Sequence, residues 1–234
     1  LQRWGKAHVL YDIEAQFPTF YTITTASKHD STAMRSIPYE PNAYYIFDRA
    51  YDSFKELYRI HLTDSFYVVR AKTNLKYKMV KWKRRMPKNV LTDAEVKLTG
   101  ALSEKKYPES FRLIRYYDEE DDRELVFLTN AKHLSALDVA NLYKKRWLIE
   151  LFFKWLKQHL KIKRFWGTTE NAVRIQISVA IITYCLVAIV QHDMQLKRST
   201  YEILQILSIS LTDKTHLRDL FDKTNFNDVK EHDY

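Results

Sequence analysis

The segment from Asn141 to Lys157 constrains the fold more than any other part of this chain. It mixes charged and apolar residues densely and contains neither Gly nor Pro. Ser135, followed three residues later by Asp138, provides the capping box that commonly starts a helix. We therefore predict one uninterrupted helix from about Ala136 to about Leu160.

Polar side chains of this predicted helix fall on one narrow stripe when successive residues are placed at roughly 100° intervals. The stripe is about 21 Å long at a rise of about 1.5 Å per residue, and its members are Tyr143, Arg146, Glu150, Lys154 and Lys157. The other directions are mostly apolar: Trp147, Leu148, Ile149, Leu151, Phe152, Phe153, Trp155, Leu156 and Leu160. Because a helix that is apolar nearly all round is normally buried, we predict that the stripe faces a cleft.

The composition of the stripe favours an anion as the ligand of this cleft. One carboxylate lies among an arginine, two lysines and a phenol, in a chain of 234 residues whose formal net charge is +9. A chain this basic is more disposed than average to bind polyanions. The alternative interpretation is a solvated face of ion pairs, which is the usual explanation of charged residues on one side of a helix.

The spacing Tyr143-x2-Arg146-x3-Glu150-x6-Lys157 resembles the YREK signature of the insertion-sequence-4 family of DDE transposases. The segments 146–157 and 167–173 are also similar to this family, and the resemblance covers nearly the whole chain. In that family the Glu is the last catalytic carboxylate, while the Tyr, Arg and Lys hold DNA at the transposon end.

The resemblance therefore implies a role for each residue of the stripe. Glu150 would be a catalytic residue and a metal ligand. Tyr143, Arg146 and Lys157 would bind DNA, with Lys154 adding to their positive field. Arginine suits a bidentate contact with phosphate. A nucleophilic Tyr143, as in covalent recombinases, is disfavoured because paired acids point to water as the attacking group.

Asp48 is the candidate for a second catalytic acid and metal ligand. It ends a predicted strand at 44–48, and strand ends are where α/β sheets commonly present ligands. The segment Asp48-Arg-Ala-Tyr51 resembles the Asp-Arg-Gly-Tyr motif around the family's second catalytic Asp, with Ala50 in place of the usual Gly. Without the resemblance, a structural role for a strand-end Asp is the more general interpretation.

The family's first catalytic Asp lies on a strand that would precede His8. Asp12 is a less suitable substitute because it lies near the predicted turn between the first two strands. The resemblance thus implies that this stretch holds two of three metal ligands, lacks the family's N-terminal DNA-binding region, and is inactive by itself.

The reaction that the resemblance implies is in-line phosphoryl transfer: cleavage of transposon-end DNA and strand transfer into target DNA. Two divalent metals about 3.5–4 Å apart can activate the attacking oxygen and stabilise the leaving one. Carboxylates suit Mg²⁺ or Mn²⁺, which are the expected cofactors. The alternatives are a non-catalytic remnant that only binds DNA or an intact partner, and a nuclease that cuts without strand transfer.

The rest of the chain predicts an α/β fold. Strands at 8–13, 19–26, 44–48, 65–71 and 124–129 accompany helices at 30–34, 53–62, 170–191 and 201–211, and a capping box of Ser53 and Glu56 starts the second of these helices. Short β-like runs without a helix fill 72–117, and the acidic run 118–122 is typical of a hairpin turn. The resemblance implies a ribonuclease H-like domain interrupted by a β-rich insertion and followed by C-terminal helices. The expected limits are 1–71 for its first part, 72–122 for the insertion, 123–213 for the remainder, and 214–234 for a polar, frayed tail.

A basic run stands out within the predicted insertion. Nine basic residues and no acidic one lie between Arg70 and Lys88, interleaved with Tyr77 and Trp82. This pattern suits a surface that binds a nucleic-acid backbone and stacks on a base. A solvated edge strand protected by lysines explains the run equally well. Trp147, which borders the stripe, could also stack on a base, although packing in the core is favoured.

Cysteine usage and hydropathy bear on the compartment. Cys185, the only cysteine, lies in the 14-residue apolar run Ile177–Val190, which is too short to cross a bilayer and is expected in the core. A chain with one cysteine forms no internal disulfide, which fits a reducing compartment. We expect a cytoplasmic, nucleoid-associated bacterial protein without membrane contact. By family analogy it acts as a homodimer on the double-stranded DNA of transposon ends and target.

Overall fold

The computed structural model describes residues 6–25, 27–160, 167, 169–210 and 214–223. The chain divides into two compact units. The central unit comprises Thr24–Glu150, and the terminal unit combines Leu1–Ile23 with Leu151–Tyr234.

The described strands and helices are as follows. The strands are β1 (Lys6–Asp12), β2 (Phe17–Thr24), β3 (Tyr44–Phe47), β4 (Phe66–Arg70), β5 (Tyr77–Trp82), β6 (Val90–Leu98), β7 (Phe111–Asp118) and β8 (Arg123–Thr129). The helices are α1 (Phe54–Leu62), α2 (Ala101–Lys106), α3 (Ala136–Lys144), α4 (Trp147–His159), α5 (Glu170–Asp193), α6 (Thr200–Ile209) and α7 (Leu217–Lys223), with a 3₁₀ helix at Asp30–Ser36.

Six strands of the central unit form one sheet in the order β3-β4-β8-β7-β6-β5. β3 and β4 run parallel, with Phe47 opposite Val69, and the chain between them contains α1, as a parallel pair requires a crossover. The other neighbouring pairs are antiparallel. The protein is therefore mixed α/β with a mostly antiparallel sheet.

Helix α3 packs on the sheet through its apolar side. Val68, Ile114 and Phe127 of the sheet are fully buried, and they form one cluster with Val139 and Tyr143 of α3. Burial of side chains of this size stabilises the fold by about 1.5–3 kcal/mol each. This packing fixes the position of Tyr143 relative to the strands.

The predicted single helix at 136–160 is wrong, because the segment folds as α3 and α4 with a turn at Lys145 and Arg146. The capping box that starts α3 is confirmed: Ser135 Oγ accepts from the Asp138 N–H at 3.0 Å, and Asp138 Oδ2 accepts from the Ser135 N–H at 3.1 Å. At the turn, the N–H of Arg146 donates to the carbonyl of Tyr143 at 3.0 Å, only three residues earlier. Bonds of this kind tighten the backbone, so the polar stripe is interrupted.

The predicted burial of the second half of this segment is also wrong. Phe152 and Leu156 are the buried residues of α4. Trp147 and Leu151 expose 57% and 40% of their surfaces, so Trp147 does not pack in the core as predicted. The apolar residues around α4 are therefore partly buried on one side of the helix and exposed to solvent on the other.

The segment 72–117 differs from its prediction in one element. It contains α2, none of whose residues is buried, and a helix without a buried face leaves no apolar periodicity in the sequence. Strands β5, β6 and β7 of this segment belong to the six-stranded sheet. The predicted turn at 118–122 is confirmed, since β7 ends at Asp118 and β8 begins at Arg123.

The capping box predicted for α1 is wrong. Ser53 makes no side-chain bond to the helix backbone. The Glu56 carboxylate instead pairs with Arg59 Nε at 3.2 Å and is almost fully buried.

In the terminal unit, α5 packs on the strand pair β1–β2 and on α4. The Tyr11 and Tyr184 hydroxyls lie 3.3 Å apart, and the rings of Phe152 and Tyr184 meet edge to face at 4.8 Å. Cys185 is half-buried, and this burial raises the pKa of its thiol. By length and composition alone α5 could cross a membrane; a third of that stretch is buried, and core helices pass the same test.

The predicted frayed tail is wrong for its first part. α7 forms at Leu217–Lys223, and Phe221 packs with Val187, Ile203 and Ile206. The remainder of the predicted tail lies outside the described residues.

Candidate functional site

Asp48 directly follows β3 and opens a tight turn. Its Oδ1 accepts from the Arg49 N–H at 2.7 Å, and its backbone carbonyl accepts from the Tyr51 N–H at 2.9 Å. The turn holds the carboxylate at the carboxyl end of the strand. The predicted position at a strand end is confirmed, whereas a role in metal binding stays a prediction.

Tyr143 reaches this carboxylate from α3. Its ring is buried against Phe127 with a centroid distance of 4.8 Å, and its hydroxyl donates to Asp48 Oδ1 at 3.4 Å. Burial raises the pKa of Tyr143, and the negative charge of Asp48 raises it further, against the opposing charges of Arg146 and Arg70. The phenol is therefore a hydrogen-bond donor at neutral pH.

Arg146 occupies the turn between α3 and α4. Its Nη2 donates to Glu150 Oε1 at 2.5 Å, and its guanidinium lies 5.7 Å from the centroid of the Tyr143 ring. Its Nε is buried and has no hydrogen-bond partner among the described residues. Burial lowers the pKa of Arg146, but the bond to Glu150 and the charges of Glu150 and Asp48 more than offset this, so the net shift is upward.

The four side chains thus form one electrostatic group within the central unit. Arg146 interacts with both carboxylates, Asp48 and Glu150, and Tyr143 bonds one of them. The side chain of Glu150 is 42% exposed, so one face of the group is open to solvent. Two acids, a permanent cation and a buried hydroxyl are suited to holding a charged ligand at this opening.

The other candidate residues for this site belong to the terminal unit. Lys154 and Lys157 are exposed on the part of α4 that belongs to the terminal unit. Asp12 caps the turn after β1, because its Oδ1 accepts from the N–H groups of Glu14 and Ala15 at 2.8 and 2.9 Å. Its carboxylate is committed to the backbone.

Arg70 is a site residue that the sequence interpretation missed. β3 and β4 run parallel, and one residue beyond the pair Phe47–Val69 come Asp48 and Arg70. The charge of Arg70 acts on the Tyr143 hydroxyl. The signal available in the sequence was that both residues lie at the carboxyl ends of predicted strands, at 44–48 and 65–71, since the carboxyl ends of parallel neighbours meet at one edge.

Asp30 also contributes to the electrostatics here. Burial raises the pKa of Tyr51, and the charges of Asp30 and Asp48 raise it further. Both carboxylates therefore act on the same hydroxyl. The predicted helix start at Asp30 is confirmed as the first residue of the 3₁₀ helix.

The fit of this group to a divalent metal rests on its donor chemistry. Carboxylate oxygens are the ligands that Mg²⁺ prefers, and Asp48 and Glu150 supply them around a single guanidinium. Within the described ranges, no group of three or more His, Cys, Asp or Glu is placed to hold a metal ion. The role of Asp48 and Glu150 as metal ligands therefore stays a prediction.

Comparisons with known proteins identify the family of this chain. Residues 2–186 match the family described as the transposase DDE domain. The chain is 35% identical over 223 residues to a putative transposase, y4zB, of Sinorhizobium fredii (strain NBRC 101917 / NGR234), a match that covers 93% of this chain and 61% of the relative. It is 31% identical over 184 residues to a probable transposase for insertion sequence element IS5377 of Geobacillus stearothermophilus, covering 77% of this chain and 48% of the relative.

A third relative is a putative transposase for insertion sequence element IS4SA of Synechocystis sp. (strain ATCC 27184 / PCC 6803 / Kazusa), 28% identical over 177 residues, with 74% of this chain and 48% of the relative covered. The chain thus spans about half to three fifths of the length of the curated relatives it matches. The family match nevertheless extends over most of the chain. The chain belongs to the family of transposase DDE domains.

Proposed function

We propose that this chain is the catalytic part of an insertion-sequence transposase of the insertion-sequence-4 type, with a ribonuclease H-like fold. It cleaves transposon-end DNA and transfers the cut strand into target DNA. The observation that carries the proposal is that Arg146 bonds Glu150 and is also acted on by the charge of Asp48, although the two acids lie on elements far apart in the sequence. Family membership supports the same conclusion independently.

Asp48 and Glu150 are the proposed catalytic residues and the ligands of Mg²⁺ or Mn²⁺. A bound metal pair would supply an activated water and stabilise the leaving oxygen. Arg146 holds Glu150 in place through the bond from its Nη2, and its positive charge favours a DNA phosphate at the open face of the group. Tyr143 orients Asp48 by donating a hydrogen bond to its Oδ1.

Lys154 and Lys157 are proposed to bind the backbone of double-stranded DNA. Both are exposed on α4, the helix that begins three residues before Glu150. Lysine binds phosphate as a point charge and gains affinity by releasing counterions from the duplex. The proposal also includes the domain limits expected from the sequence, a homodimer assembled on DNA, and a cytoplasmic, nucleoid-associated location.

Non-catalytic DNA or partner binding is the second candidate. It is favoured by one observation: within the described residues, no group of three or more His, Cys, Asp or Glu is placed to hold a metal ion. The predicted inactivity of this stretch has no support from the relatives, which are named as transposases.

The test is a cleavage and joining assay on insertion-sequence end DNA with Mg²⁺, using the longest natural polypeptide that contains this chain. Glu150→Gln keeps the shape and the bond from Arg146 but removes the charge, so we expect cleavage to be lost and DNA binding to be retained. Retained cutting with lost binding would contradict the role as a metal ligand. Cutting without joining would identify a nuclease, and an inert wild type would favour the non-catalytic candidate.

A further inference from the structure

The two outermost antiparallel strands of the central sheet, β5 and β6, carry a row of lysines on one face. Cross-strand partners in the register are Lys78 opposite Lys97 and Lys81 opposite Glu95. The N–H of Lys83 continues the pairing to the Asp93 carbonyl at 3.0 Å. Because side chains alternate between the two faces of a sheet, these pairs point to the same side.

A β-bulge is what assembles this row. The register shifts between Met79 and Lys81, which makes Val80 the extra residue. Without the bulge, strict alternation would place Lys81 on the face opposite Lys78. The same shift places Trp82 opposite the buried Ala94, on the other face. The basic and aromatic residues that interleave in the sequence are therefore sorted onto separate faces.

The charges on this face are strongly unbalanced. Its acids are Glu95, which Lys132 Nζ approaches at 2.7 Å, and Asp93, which Lys83 Nζ approaches at 2.8 Å and Arg112 also binds. Five lysines and Arg112 thus give this face six cationic groups against two carboxylates. We call the lysine face the set of Lys78, Lys81, Lys83, Lys97 and Lys132.

Lys78 and Lys97 are the most informative pair. Like charges directly opposite each other destabilise a sheet, and in the part of the chain that the structure describes neither lysine forms an ion pair with a carboxylate. Lysines that only protect a sheet edge belong on the outermost strand. Lys97 lies on β6, which is hydrogen-bonded on both sides, so protection of an edge does not explain it.

We propose that the lysine face binds the phosphate backbone of duplex DNA. The face extends about 13 Å along β6 from Lys97 to Asp93 at about 3.3 Å per residue. That length matches about four successive phosphates of one strand, spaced about 3.4 Å along the duplex axis. The choice of DNA over another polyanion rests on the proposed function; the location and the phosphate chemistry rest on the strands.

The test compares two double variants that lose the same number of positive charges. The affinity of each for a labelled DNA duplex of scrambled sequence is measured by fluorescence anisotropy, in a series of salt concentrations and without metal. Lys78→Gln with Lys97→Gln should weaken binding about tenfold at low salt and reduce the salt slope by about 1–2, at about 0.9 per lost phosphate contact. Lys105→Gln with Lys106→Gln, on the exposed helix α2, is the matched control and should stay within about twofold of wild type.

Two further measurements separate binding from folding. Removal of the Lys78–Lys97 repulsion should leave the melting temperature equal or higher, and Lys78→Arg with Lys97→Arg should restore binding. If the Lys78→Gln, Lys97→Gln variant binds the duplex as tightly as the control does, the proposal is overturned. It is also overturned if this variant keeps its affinity for the duplex and loses affinity only for single-stranded RNA of the same length. Since the readout is equilibrium binding without cutting, it is independent of whether Asp48 and Glu150 catalyse.

Discussion

Asp93 and Arg112 form an ion pair whose two side chains are 5% and 6% exposed. The pair is bidentate, with Nε–Oδ1 and Nη2–Oδ2 distances of 2.6 and 2.7 Å, and Arg112 Nη1 also donates to the Leu134 carbonyl that precedes α3. Removing one partner of a buried pair leaves an uncompensated charge, which typically costs about 3–5 kcal/mol. This pair therefore anchors the start of α3 to β6 and β7.

Asp93→Asn is expected to change the acid dependence of stability. Burial alone raises the pKa of Asp93, but the bonds from Arg112 and Lys83 outweigh it, so the folded pKa lies below the ordinary value. The stabilising contribution is complete above about pH 4, the usual range of an unfolded Asp, and is lost as the pH falls through the lower folded value.

Chemical denaturation at a series of pH values tests this. The wild type should lose free energy of unfolding below about pH 4 more steeply than Asp93→Asn, which should already be destabilised at neutral pH. Parallel pH profiles for the two proteins would contradict the assignment.

At the scale of elements, α4 carries the proposed DNA-binding lysines. Lys157→Ala should weaken binding to transposon-end DNA and reduce its salt slope by about 0.9, the value for one phosphate contact. The exposed Lys144, which pairs with Glu120 at 3.2 Å, offers a control of the same type whose charge is already compensated. A salt slope for Lys157→Ala equal to that of Lys144→Ala would show that Lys157 faces away from DNA.

Elements whose signals are local were predictable from the sequence. Strands β3, β4 and β8, the turn after β7 and the capping box of α3 follow from short apolar runs, acidic clustering and the Ser135–Asp138 spacing. The break between α3 and α4 at Lys145 was not predictable, because no Gly or Pro marks it. The backbone hydrogen bonds that tighten this turn depend on how α3 packs. Helix α2 was not predicted because none of its residues is buried, so no apolar periodicity marks it in the sequence.

The candidate site shows the same division. Asp48 and Glu150 were named from motif and strand position, but the bond between Tyr143 and Asp48 joins residues 95 apart in the sequence. Its existence depends on how α3 packs on the sheet. The bulge in β5, which separates Trp82 from the lysines, also has no local sequence signal.

At the scale of the whole molecule, two matched capping boxes allow the two units to be followed separately. Ser135 starts α3 in the central unit, and Ser199 with Glu202 starts α6 in the terminal unit. Loss of such a cap costs on the order of 1 kcal/mol. Ser135→Ala should lower hydrogen-exchange protection mainly in α3 and the six-stranded sheet, and Ser199→Ala mainly in α5 and α6.

The exchange pattern distinguishes two architectures. Separate effects would show that the units open independently. Uniform loss of protection throughout the chain in both variants would contradict two units and indicate a single cooperative domain.

The central claim is that Asp48 and Glu150 act at one metal site, and Mn²⁺ binding followed by electron paramagnetic resonance tests it most directly. Asp48→Asn and Glu150→Gln should each weaken Mn²⁺ binding at least about tenfold, or about 1.4 kcal/mol, and the double variant should be little worse than either single one. Asp12→Asn, which keeps an oxygen for its turn, is the control and should bind Mn²⁺ like the wild type. Single variants that bind Mn²⁺ normally, or losses that simply add, would contradict a shared site.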